Sequence, residues 1–225
     1  MPYPLLFEGQ SPAALREKVQ APELRRMYAL LLENCDQFLA RPVIAPPPRA
    51  STPMDRSPGE LGLARKAQRY ILSLAVGHHL TGRDDYRERA WAEIECWLDR
   101  WDSWTDPYHG PANHFDLMVG EMGLTMGLAY DWLKDGLSEP RRAKLRAQIG
   151  RRVLDLYLAQ TDPPKALRTP RAPGTRRPAQ GAPRPPSPVW WYRAYHNWNT
   201  VCNGGAVVAA LALAGEYPRA AEVIA

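Results

Sequence analysis

The chain has 225 residues, a formal net charge of +5, ordinary apolar content and three cysteines. That length allows one or two domains and a sizeable core without covalent staples. Cys35, Cys96 and Cys202 are odd in number and far apart, which argues against a disulfide framework or a CxxC metal site and for small buried hydrophobes; no apolar run reaches the ~18 residues of a membrane span.

The opening MPYPLLFEGQ has no basic start and no long apolar run, so it does not read as a signal peptide. As written the chain is expected in the cytoplasm, with the periplasm open to a protein that begins further upstream. Ser11-Pro12 is a cap and first-turn pair for the helix AALREKVQ. Pro22 starts a second helix, ELRRMYALLLENCDQFL, with apolar residues at helical spacing. Residues 41–59 are Pro-rich and read as a loop. Leu61 to Leu80 predicts a strong helix that stops near Gly82. Its adjacent His78 and His79 point in different directions, so they cannot form an i, i+4 metal pair and are expected to line a surface between helices. Asp84 caps DYRERAWAEIECWLDRW.

The loop WDSWTDPYHGPANHFD follows, residues 101–116, with Trp101, Trp104, Tyr108, His109, Asn113 and His114. It feeds Leu117 to Leu133, which is apolar over nearly its whole circumference. Such a helix is buried on all sides, with Gly120, Gly123 and Gly127 where neighbours approach closely. Glu121 is a lone acid on this helix. Buried without a partner it is costly, so it either faces a polar cavity or pairs with a base. Ser138-Glu139-Pro140 starts RRAKLRAQIGRRVLDLYLAQ.

Residues 163–188 break the pattern. They carry Lys165, Arg168, Arg171, Arg176, Arg177 and Arg184 and no acid, so the remainder of the chain carries about −1. A nucleic-acid footprint needs a basic face on the folded part, and none is indicated. With no aromatic residue and only Leu167 as a large aliphatic, the segment cannot offset its ordering entropy. It is either a disordered insertion or a misread frame. It divides the chain into 1–162, 163–188 and 189–225.

The final part opens on VWWYRAYHNWNTVCNGG, residues 189–205, ahead of a small, apolar helical stretch. Pro218 is expected to begin one more helix. No window alternates with period two. The class is all-α, with paired helices in an inner and an outer layer. Two zones, 101–116 and 189–205, hold most of the tryptophans beside amide and imidazole groups. That mixture suits a carbohydrate site, where rings stack on sugar faces and polar groups meet hydroxyls and carboxylates. The plainer reading is a set of core anchors, an Asn cap and glycines for close packing.

Three stretches resemble one family. LLFEGQSPAALREKV, HFDLMVGEMGLTMGLAYDWLKDGLSEPRRAKLRAQI and HNWNTVCNGGAVVAALALAGEYPRAAEVIA are similar to the N-terminal helical domain of heparinase II/III-like polysaccharide lyases, which include oligoalginate lyases. The last stretch is the most specific. The resemblance implies an incomplete (α/α) toroid and β-elimination on an acidic, uronate-containing polysaccharide or oligosaccharide, with no cofactor. It places Asn197 against the substrate carboxylate, with His196 beside it as the second catalytic candidate. Asn199, which flanks it, is a further implied contact; the composition of the two zones adds Trp198, Tyr195, Trp191 and His114 as candidate substrate contacts, and the lone acid Glu121 joins them. Some relatives have His after the Asn; this chain has Trp198. The family's later tyrosine and its C-terminal β domain have no counterpart before Ala225, so these 225 residues are expected to be inactive alone. The competing expectations are a non-catalytic helical scaffold or carbohydrate-binding remnant, and a toroid glycoside hydrolase using Asp116 and Glu121, which no spacing pairs.

Overall fold

The computed structural model describes residues 5–7, 10–45, 60–99, 115–161, 190–193, 195 and 197–225. Among the described residues the fold is all-helical and contains no strand. Its helices are α1 (Pro12–Lys18), α2 (Pro22–Leu39), α3 (Glu60–Thr81), α4 (Asp84–Asp99), α5 (Leu117–Leu133), α6 (Glu139–Ile149), α7 (Asp155–Thr161), α8 (Asn197–Ala212) and α9 (Ala220–Ile224). The segment 163–188 and the loop 101–114 lie outside the described residues.

Local sequence explains most boundaries. Ser11 Oγ accepts from Ala14 N at 3.2 Å, with Pro12 in the first turn of α1. Pro22 and Pro140 likewise occupy first turns, where a missing N–H costs nothing. Gly82 turns the chain between α3 and α4 with φ +75°, a conformation that strains other residues. Asp116 caps α5, accepting from Met118 N at 3.0 Å and Val119 N at 3.1 Å. The long helix expected after Ser138 is interrupted. A π turn at Gly150–Leu154 separates α6 from α7, and the ring of Tyr217 lies so close over Gly150 that a side chain there would meet it. The expected final helix starts later than Pro218, at Ala220.

Side-chain pairs give the helix directions. Arg65 on α3 meets Glu121 on α5, and Gln68 meets Thr125, so α3 and α5 run parallel. Gly120 of α5 abuts Val201 and Cys202 of α8, while Gly127 abuts Val208 and Ala209, so these two also run parallel. A second set packs behind them. Phe38 of α2 stacks on Tyr70 of α3 at 3.8 Å, and Cys35 Sγ reaches Ser73 O at 3.2 Å, an antiparallel pairing. Arg141 and Lys144 of α6 bind Glu88 and Glu95 of α4 in parallel register. The result is an inner layer of α3, α5 and α8, backed by an outer layer that includes α2, α4 and α6 and runs the opposite way. The exposed ion pairs of the outer layer add little to stability.

The apolar helix α5 lies at the centre of the inner layer, and almost every one of its side chains is buried. Its approach to α8 needs small residues. A Cβ at Gly205 would stand 2.6 Å from the Gly120 carbonyl carbon, and one at Gly127 would stand 2.9 Å from Ala209 Cα. Gly204 differs: nothing lies within 4 Å of its would-be Cβ, so only Gly205 of the pair serves close packing.

Two further ties close the fold. The strap after α2 is fixed by buried Glu93, which accepts from Ile44 N at 3.0 Å and pairs with Arg89 at 2.8 Å. Trp97 Nε1 donates to Ile44 O at 2.7 Å. At the opposite end from Asp116, Leu5 N donates to Asp131 Oδ2 at 2.5 Å and Trp132 Nε1 donates to Leu5 O at 2.9 Å. Phe7 stacks on His79 at 4.7 Å and on Trp132 at 5.2 Å. This N-terminal clip packs at the C-terminal ends of α3 and α5. His79 therefore faces this non-helical clip, and His78 Nδ1 lies 2.9 Å from Arg83 O in the turn after α3.

Candidate functional site

The parallel inner layer brings helix starts to one edge. The α5–α8 register sets Asp116 and Leu117 level with Asn197 and Trp198, and Arg65 and Glu121 lie about one turn further in. A helix start concentrates unsatisfied N–H groups and positive dipole, and so suits an anion. On α5 this end is occupied by the buried Asp116 carboxylate.

The segment HNWNTVCNGG does not precede a helix. From Asn197 onward it is the helix: Asn197 to Gly205 form the first turns of α8. Its three asparagines have different fates. Asn203 Oδ1 accepts from Tyr157 OH at 2.9 Å, which ties α8 to α7. Asn199 Nδ2 donates to Tyr192 O at 2.6 Å and holds the turn before α8. Asn197 is exposed, and its side chain makes no hydrogen bond within the described residues.

The aromatic residues divide in the same way. Trp191 is fully buried, and its Nε1 donates to Phe115 O at 2.8 Å. Its ring packs against Phe115 at 5.4 Å and Tyr157 at 6.1 Å. A ring enclosed like this offers no face to a sugar, so Trp191 acts as a core anchor rather than as a direct contact. Gln160 Oε1 accepts from Phe115 N at 3.1 Å, so Phe115 is gripped on both sides of its peptide unit. Trp198 is half-buried and packs on the core. Tyr195 stands fully in solvent, and Tyr192 is 40% exposed. These are the rings with faces free to stack.

Glu121 is paired with a base. Arg65 grips it with two bonds, Nε to Oε2 at 2.8 Å and Nη2 to Oε1 at 2.5 Å. The Glu121 side chain is 12% exposed and that of Arg65 53%. Gln68 extends this polar strip, with its Nε2 donating to Thr125 Oγ1 at 2.8 Å. Sequence reasoning singled out the acid and missed its partner. The signal was there in part: Arg65 and Gln68 are three residues apart and share a helix face.

Burial governs the titratable groups around the edge. It pushes the Tyr157 hydroxyl up to about 12, with the neighbouring Tyr192 and Cys202 adding to the effect. It also holds the Cys202 thiol far above the usual range, aided by the charges of Asp116 and Glu121. Neither group suits proton transfer near neutral pH. His196 and His114, which carry the imidazole expectations, lie outside the described residues. Among the described residues no set of three metal-ligating side chains gathers, and no helix is long and apolar enough to cross a membrane. Chemically, the edge offers an exposed primary amide with no partner among the described residues, a half-exposed guanidinium and two accessible phenol rings.

No protein-family model matches the chain, and no curated protein matches it.

Proposed function

We propose that this edge is part of the substrate cleft of a polysaccharide lyase acting on a uronate-containing chain, and that the two helical layers form an arc of an (α/α) toroid. β-Elimination at a uronate has three requirements. The C5 carboxylate is neutralised so that the C5 proton becomes acidic, a base removes that proton, and an acid protonates the departing O4. Asn197 is assigned to the first. Its amide N–H groups donate to the carboxylate, and the start of α8 adds favourable dipole. The observation that carries this reading is the sorting of the three asparagines: Asn199 and Asn203 are spent on structure, while Asn197 is exposed and makes no side-chain hydrogen bond among the described residues.

Tyr195 and Tyr192 supply stacking faces to the same sugar chain, and Trp191 positions Tyr192 from the core, ring edge to ring face at 5.9 Å. His196, next to Asn197 in the chain, is the imidazole candidate for the same carboxylate or for a neighbouring sugar. Calorimetric titration with a uronate trisaccharide tests the reading. Binding by the wild-type chain and at least ~10-fold weaker binding by Asn197→Ala are expected, since a hydrogen bond to a charged group is worth about 1.5–3 kcal/mol. Equal affinity for the two proteins would remove the assignment.

A further inference from the structure

A uronate chain carries a carboxylate on each acidic sugar, and a single neutral amide answers only one of them. The neighbouring carboxylate needs a counter-charge, and Arg65 is placed to supply it. Glu121 occupies the Nε and Nη2 side of the guanidinium. Nη1 makes no bond within the described residues, and with the second Nη2 hydrogen it forms an open donor edge. The Arg65 side chain is 53% exposed, whereas Glu121 is 12% exposed, so the open edge belongs to the more accessible partner. Glu121 is therefore the brace and Arg65 the arm.

A purely structural account of the pair is weak. Glu121 lies on the most apolar helix of the fold, where burying a charge carries a desolvation cost that a surface partner repays poorly. An apolar side chain would fill the site as well. What the pair does provide is orientation: a two-point grip fixes a planar guanidinium that would otherwise sample many rotamers. Arg65 also lies on the correct side. Gly120, one residue before Glu121, touches α8 at Val201 and Cys202, so Arg65 on α3 and Asn197 on α8 stand on either side of α5 near the same edge.

We propose that Arg65, braced by Glu121, is a second carboxylate-binding residue that reads the acidic sugar next to the one held at Asn197. This rests on the uronate reading of the edge. It makes Arg65 the residue that separates acidic from neutral oligosaccharides. An Arg presents two parallel donors to a carboxylate, which a lysine cannot copy.

The test is calorimetric titration with a uronate trisaccharide and with its carboxyl-reduced, neutral counterpart. The proteins are wild type, Arg65→Ala, the double variant Arg65→Ala/Glu121→Gln and Asn197→Ala, each checked for an intact helical spectrum and melt. The double variant removes the cation without stranding a buried anion, so it keeps the test valid if the single variant folds poorly. The expected result is a ~10-fold or greater loss for the acidic trisaccharide in the double variant, with a clearly smaller loss for the neutral trisaccharide; equal losses for the two sugars would overturn the assignment. If Asn197→Ala weakens acidic binding and the double variant does not, Arg65 has no such role while the uronate reading stands. If the wild-type chain binds neither sugar, the uronate reading falls and takes this assignment with it.

Discussion

Gly204 and Gly205 are adjacent in one helix, and alanine should act on them with opposite signs. A Cβ at Gly204 meets nothing within 4 Å, so Gly204→Ala adds only helix propensity, worth roughly 0.5–1 kcal/mol. A Cβ at Gly205 would lie 2.6 Å from the Gly120 carbonyl carbon and 2.9 Å from its Cα, with the carbonyl oxygen closer still. These are backbone atoms, and no rotamer change moves them aside. Overpacking costs about 1–3 kcal/mol and more where relaxation is blocked. Backbone contacts place Gly205→Ala at the top of that range, about 3 kcal/mol, and with the ~1 kcal/mol propensity gain subtracted a net loss of about 2 kcal/mol is expected. At roughly 2–4 °C per kcal/mol for a chain of this size, Gly204→Ala should melt about 2 °C higher and Gly205→Ala about 4–8 °C lower. Circular dichroism melts at one protein concentration measure both. Shifts of the same sign, or an unchanged Gly205→Ala melt, would show that α5 and α8 do not pack in this register.

Other outcomes follow from buried groups. Glu93 is fully buried and holds both Ile44 N and Arg89, so Glu93→Ala should cost about 3–5 kcal/mol in denaturant titration, as for other buried pairs that lose one member. His79 sits under Phe7, and its pKa lies below 6.5 because burial and then His78 disfavour the imidazolium, Asp131 and Asp135 favour it, and Arg16 opposes it. The fold favours neutral His79, so its contribution is complete above 6.5 and is lost as pH falls below that value. Phe7→Ala, which uncovers the ring, should move the His79 titration seen by NMR back toward 6.5. Cys35 and Cys202 are buried, with the Cys35 thiol pushed up to about 12, so a thiol reagent near neutral pH should label half-buried Cys96 first.

The helices were legible where local chemistry sets them. Ser11-Pro12, Gly82, the apolar run of α5 and Ser138-Glu139-Pro140 each act through neighbours in sequence. What was not legible depends on distant partners. The π turn at Gly150 coincides with Tyr217, which arrives from the far side of α8. The start of α8 at Asn197 was obscured because polar and aromatic residues with little helix preference of their own are held helical by packing on α5. The same limit applies to the site. A lone Glu121 on an apolar helix announced a need for a partner, but only the parallel α3–α5 register shows that the partner is Arg65. Trp191, expected as a substrate contact, is a core anchor, because its complete burial and its hydrogen bond to Phe115 O leave no face for a sugar.

The most direct test of the proposed cleft is a nitrogen–proton NMR titration of the wild-type chain with a uronate trisaccharide. The account predicts shifts in the Asn197 side-chain amide, in the first turn of α8 and in the Arg65 guanidinium, with α4 and α6 of the outer layer unchanged. Unchanged Asn197 and Arg65 signals at saturating sugar, or shifts confined to the outer layer, would contradict it.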